Sequence, residues 1–225
     1  SADIGEEIFV SQNEDEIVLC LNYDGKFGLN NMNLYFQNAN TKSQVYTWAE
    51  WTFKVRDPVI FLDTKRSSLL YNNLKGRIVD ISKRDSAILF TLDIDTILTE
   101  RQCRNESFEF VDVTDLGTRI RLEVIANDDE SAAEEERIKT IIPFQIAYAV
   151  SIHKAQGLEY NSVKIIIPSY NAEKISHSIF YTAITRAKEK LKIFWSAETM
   201  KAIIESFEKE KIGQRTLEVI EKKLK

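Results

Sequence analysis

The sequence predicts an α/β protein: a parallel-sheet layer that begins before a block of short β-strands and resumes after it. Three observations point to this class. The runs "EIVLCL" and "SVKIIIP" are largely apolar, the pattern of strands buried in a sheet. Between Arg56 and Asn127, five β-branched or aromatic runs recur at about ten-residue spacing, as in a small antiparallel barrel. After Pro143 the pattern alternates between strand and helix. The expected division is therefore 1–55 with 143–225 as a discontinuous α/β domain, and 56–142 as an inserted β-subdomain.

In chain order, "EIVLCL" (16–21) reads as a buried strand ended by the turn residues of "NYDGKFG". "LNNMNLYFQNAN" places Leu29, Met32, Leu34 and Phe36 near helical spacing. "VYTWAEWTFKV" alternates in the manner of β structure. The five insert strands are expected in "DPVIFLDT", "GRIVDIS", "SAILFTLD", "SFEFVDV" and "RIRLEVI", followed by the acidic stretch "NDDESAAEEER" (127–137), read as an exposed loop or helix start. "FQIAYAVSI" reads as one strand, "HKAQG" as a single helical turn closed by Gly157, and "SVKIIIP" as a strand stopped by Pro168. "SHSIFYTAITRAKEK" spaces Phe180, Ala183 or Ile184, and Ala187 on one stripe of a helix capped by Ser176 or Ser178. "LKIFWS" is a last strand. The tail from Ser196 reads as amphipathic helix interrupted near Gly213.

Composition narrows the function classes. With 225 residues, 44% hydrophobic and 29% charged, the chain has the makeup of an ordinary globular protein. No apolar run approaches the ~20 residues that cross a bilayer, and no signal-peptide pattern opens the chain. Two cysteines and two histidines make no zinc site, so no metal ligands are assigned, and free thiols point to a cytoplasmic, reducing setting. The net charge of −5 hides an asymmetry: residues 1–142 carry −10 and residues 143–225 carry +5. The basic part suits phosphates, or is a solvated face.

Two segments carry chemistry. In "SIHKAQGLEY" (151–160), Ser151 and His153 lie two apart, so they share one face if the strand continues. Gly157 permits a tight bend, and Glu159 offers a carboxylate able to accept from ribose hydroxyls. Taken singly, His153 reads equally as a core histidine, Glu159 as a surface charge and Gly157 as a helix C-cap. In "YTAITRAKEK" (181–190), Arg186 would share a helix face with Thr182 and Glu189. Small neighbours leave its planar fork room to reach an anion. Alone, it reads more readily as a surface ion pair with Glu189 or nearby acids.

Together, and in this order, "SIHKAQGLEY" resembles motif V and "FYTAITRAKEKL" motif VI of superfamily 1 DNA helicases, of the UvrD/RecD-like group. "IVLCLNYDGKFGLNNMN" looks like the motif IV strand and helix. "RDPVIFLDTKRSSLLYNNLKGRIVDIS" is similar to the SH3-like barrel inserted in RecD-type enzymes. The resemblance implies a RecA-like second motor domain with an SH3-like insert. It makes Arg186 the arginine finger, Glu159 the ribose contact, and Gln156 and Gly157 the nucleotide-facing turn. Ser151, His153 and Thr182 become contacts to single-stranded DNA. Many relatives place an arginine just after the motif IV strand; here "NYDGK" stands there, with only Lys26 nearby.

The chain has no G-x-x-x-x-G-K-[ST] and no apolar strand ending in an Asp-Glu pair. The resemblance thus implies ATP with Mg²⁺ bound only in a full-length protein, whose N-terminal helicase domain supplies the phosphate cradle and metal ligands. The expected partners are that domain and single-stranded DNA. The chain alone is expected not to hydrolyse ATP. The competing expectation is a helicase-derived module that binds nucleic acid or protein without catalysis.

Overall fold

The computed structural model describes residues 15–62, 67–126 and 141–209, which fall into two compact units: 15–32 with 149–209, and 33–148. Strand β1 (Glu16–Cys20) leads through a tight loop into helix α1 (Leu29–Ala39). Gly28 joins them because no side chain fits there: a Cβ would lie 2.5 Å from the carbonyl of Asp24. Leu29, Met32 and Phe36 are buried, but Leu34 is exposed, so the helix buries a narrower stripe than the spacing implied. The hairpin β2 (Val45–Trp48) and β3 (Trp51–Lys54) follows, then β4 (Pro58–Phe61), β5 (Lys75–Arg84) and β6 (Ala87–Ile94). A short α2 (Glu100–Cys103), closed by a Thr99/Gln102 capping box, precedes β7 (Glu109–Thr114) and β8 (Gly117–Ile125).

Next come β9 (Phe144–Ile146), β10 (Ala149–Ser151), β11 (Tyr160–Ile166), a 3-10 turn (Ser169–Lys174), α3 (His177–Ile184) and β12 (Ala187–Phe194). Helix α4 occupies 197–209. The acidic stretch 127–137 and the expected break at Gly213 lie outside the described residues.

In the second unit, strands β4 to β9 form a six-stranded antiparallel sheet in the order β7-β8-β6-β5-β4-β9. Among the described residues β7 and β9 pair with one neighbour each, so the expected barrel is present as a sheet with two edges. Bulges at Ile78/Asp80 and Phe110/Asp112 bend it. Its core is aromatic at the centre. Phe144 packs edge-to-face on Phe90, Phe61 and Phe53 with ring centroids 5.0, 5.7 and 5.9 Å away, a geometry that adds to plain burial. At its margin, Asp57 is fully buried and accepts from Gln37 Nε2, Lys54 N and Tyr148 Oη at 2.6, 2.9 and 2.8 Å.

The first unit is α/β, as predicted. Its sheet is wholly parallel in the order β10-β1-β11-β12. Three of its strands, β10, β1 and β11, are almost solvent-free, including Val18, Leu19, Val150 and Val163 at 0% exposure, which accounts for their largely apolar runs. Two expectations about elements need correction. "FQIAYAVSI" is two strands: β9 pairs antiparallel with β4, and β10 pairs parallel with β1. The helix expected through Glu189 stops at Ile184, and β12 already starts at Ala187. Thr185 ends it by turning its hydroxyl back onto the carbonyls of Tyr181 and Thr182, at 2.9 and 3.1 Å. Of the two candidate caps, Ser176 is the N-cap, accepting from Ile179 N.

Candidate functional site

Strand direction sorts the candidate residues onto two edges of the parallel sheet. Ser151 ends β10 in register with Cys20, the last residue of β1, and Cys20 pairs with Ile166 at the end of β11. Ser151 and His153 therefore lie at the carboxyl edge. Glu159 immediately precedes β11, and Arg186 immediately precedes β12, where Tyr160 pairs with Ala187. They lie at the amino edge. Segment 152–159 connects the two edges, crossing β1, which lies between β10 and β11.

At the carboxyl edge the turn is built by its own backbone. Ala155 N donates to Ser151 O at 3.0 Å and Gln156 N to His153 O at 3.2 Å, while Ile152 N ties the turn to Cys20 O. Ser151 is 2% exposed, and its Oγ accepts from Lys154 N at 3.2 Å. It shapes the turn, and His153 and Gln156 are the side chains left facing solvent. Gly157 ends the segment in the left-handed region, at φ 84°, with open space around its Cα.

At the amino edge Arg186 is the hub. It belongs to the turn between α3 and β12, so the expected helix face shared with Glu189 does not exist; Glu189 lies on β12. The guanidinium donates from Nε to Thr182 O at 2.9 Å, from one terminal nitrogen to Leu158 O at 3.0 Å, and from the other to Thr185 Oγ1 at 3.1 Å. Arg186 O in turn accepts from Tyr160 N at 2.9 Å. One residue thus locks the end of α3 to the start of β11. Thr182 accordingly sits beside Arg186, away from Ser151 and His153. Glu159 is exposed and meets Lys188 Nζ at 3.5 Å. Lys26 is exposed in the loop after β1, at the opposite edge. Among the described residues no three His, Cys, Asp or Glu side chains are grouped to hold a metal ion.

The guanidinium carries five N–H groups, and three bonds leave two terminal N–H groups uncommitted by these contacts. Three fixed anchors hold the fork without the entropy of a free side chain, which is how a donor is pre-organised for an anion. Sequence reasoning missed two exposed aromatics at the carboxyl edge, Tyr23 and Tyr170. A lone tyrosine in a turn gives no periodic signal.

Residues 146–193, which contain both edges' candidate groups, match the sequence profile of the UvrD-like helicase C-terminal domain family. Over 103 residues the chain is 30% identical to the RecBCD enzyme subunit RecD of Buchnera aphidicola subsp. Schizaphis graminum, covering 45% of this chain and 17% of that protein. The RecD of Buchnera aphidicola subsp. Acyrthosiphon pisum is 21% identical over 182 residues, 79% of this chain and 24% of that protein. The chain thus spans less than a quarter of the length of these relatives. The crystal structure of Pif1 helicase from Candida albicans aligns with a TM-score of 0.47 at 14% identity, over 84% of this chain and 47% of that one. The matched stretch runs from β9 to β12 and so includes the whole crossing segment and the α3–β12 turn.

Proposed function

We propose that this chain is the second motor domain of an ATP-dependent DNA helicase of superfamily 1, RecA-like in plan, with residues 56–142 as an SH3-like insert. It grips single-stranded DNA at the carboxyl edge of the parallel sheet, through His153 on the turn that Ser151 shapes. At the amino edge it presents Arg186 and Glu159 to ATP·Mg²⁺, and the Gln156–Gly157 turn carries the chain there from the carboxyl edge. An N-terminal domain of the same polypeptide cradles the phosphates. The relatives named as RecBCD subunits and the RecD2 DNA helicase of Deinococcus radiodurans support this reading. So do the buried free thiols Cys20 and Cys103, which suit a reducing cytoplasm.

The single observation that carries it is the fixing of Arg186 to both candidate segments, at Leu158 and Thr182, with Glu159 next to the same turn. The bound ATP·Mg²⁺ supplies the transferable phosphoryl group and its metal clamp. Arg186 directs its two remaining N–H groups to the developing negative charge. Glu159 accepts from ribose hydroxyls once it leaves Lys188. Segment 152–159 spans the sheet from edge to edge, so a shift at the nucleotide is transmitted to the turn that carries His153.

A second reading has one observation in its favour: all three guanidinium nitrogens already bond protein groups. On that reading Arg186 is a structural staple, and the chain is a binding module without catalysis. The two readings part on ATP hydrolysis by the longer protein with single-stranded DNA present. Loss of an arginine finger lowers the rate by ~10³ or more. A rate for Arg186→Ala within about twofold of wild type favours the staple.

A further inference from the structure

We infer that Tyr170, together with Tyr23, forms a base-stacking platform for a single nucleic-acid strand at the carboxyl edge of the parallel sheet. This rests on the single-strand grip proposed above and names side chains that supply affinity to it. Tyr23 follows β1 and Tyr170 follows β11, adjacent strands of the sheet. Their exposures are 50% and 57%, large for aromatic rings held in short, ordered turns.

The two turns are fastened together. Asn22 Nδ2 donates to Asn171 Oδ1 at 2.9 Å, and Asn171 is 2% exposed. Tyr23 directly follows the first asparagine and Tyr170 directly precedes the second, so this half-buried bridge sets both rings' attachment points. The Tyr170 hydroxyl would lie 3.5 Å from a Cβ at Gly25, which places the ring over the first loop. That loop is itself clamped onto α1 by Leu29 N to Asn22 O at 2.8 Å and Asn30 N to Tyr23 O at 3.1 Å. A third turn, carrying His153 and Lys154, is tied to the same edge by Ile152 N to Cys20 O at 3.2 Å.

Charge favours stacking over phosphate capture as the source of affinity here. Lys26, Lys154 and Lys174 are offset by Asp24 and Glu173 in the same turns. Rigid rings on a nearly neutral, pre-shaped edge meet the flat face that every base presents, and such contacts tolerate sequence.

The test is fluorescence anisotropy of this chain with two labelled strands of about twelve nucleotides, a length within the range such sites cover. One is oligothymidine and the other an abasic phosphodiester of equal length. Wild type binds oligothymidine about tenfold or more tighter than the abasic strand. Tyr170→Ala removes most of that preference, Tyr23→Ala removes part of it, and both bind the abasic strand like wild type. Tyr170→Phe keeps the preference, because the ring and not the hydroxyl makes the contact. Equal binding of both strands by wild type, or an undiminished preference in Tyr170→Ala, overturns the platform and leaves the grip standing. No binding of either strand by wild type overturns both.

Discussion

Arg186 holds together two segments 28 residues apart in sequence, and this shows how a residue's role depends on neighbours that local pattern does not reveal. Gly157 and Glu159 were readable because their signals are local: a glycine where the chain must bend, a carboxylate beside it. The bond from Arg186 to Leu158 O was not readable, since it requires knowing that β11 and β12 are neighbours. The burial of Ser151 was hidden for the same reason. Gly157 gives a prediction at this scale. Its φ of 84° with open space means that an added methyl group meets no atom and costs only left-handed backbone strain. Gly157→Ala should lose about 1–2 kcal/mol in urea unfolding. Gly28→Ala should lose more, because its Cβ collides with the Asp24 backbone. Equal losses would mean that the turn at Gly157 is packed more tightly than described.

Elements were legible where the apolar period was unambiguous. All five expected insert strands exist, and β1, β11 and α1 lie where the pattern put them. The failures have one cause: periodicity does not mark a change of partner. The stretch 144–152 stays apolar throughout, yet the chain leaves one sheet and enters another at Ala147–Tyr148. Tyr148 fixes that break with its hydroxyl on Asp57. Asp57→Ala would leave Gln37, Lys54 N and Tyr148 without their acceptor, and should cost the 33–148 unit about 3 kcal/mol or more in unfolding free energy. The pH dependence follows from burial, which raises the Asp57 pKa against the opposing pull of its three donors and of Lys54. The folded value then exceeds the unfolded value near 3.9, so the folded unit holds the proton more tightly. Asp57's contribution is fullest below about pH 3.9 and declines as pH rises through the folded value. Denaturation midpoints of Asp57→Asn should lose that part of the slope; an unchanged slope would assign it to other groups.

At the scale of the whole molecule, the sequence suggested an α/β layer interrupted by β structure over 56–142, and the described residues fall into compact units of 15–32 with 149–209 and of 33–148. It did not show that the candidate residues divide between opposite sheet edges, because strand order and direction follow from tertiary pairing. Each unit contains one buried cysteine, Cys20 in one and Cys103 in the other, and burial pushes the Cys20 thiol up to about 12. Both should resist alkylation at pH 8 until unfolding exposes them. In Asp57→Ala, Cys103 should label well before Cys20; simultaneous labelling would mean that the units unfold as one.

On the proposed function, nucleic acid meets the carboxyl edge while the nucleotide groups lie at the amino edge. Backbone hydrogen exchange of this chain, with and without oligothymidine, tests it most directly. Exchange should slow in 22–28, 151–156 and 169–171 and stay unchanged in 185–190. Protection confined to 185–190, with the carboxyl-edge turns unaffected, would contradict it.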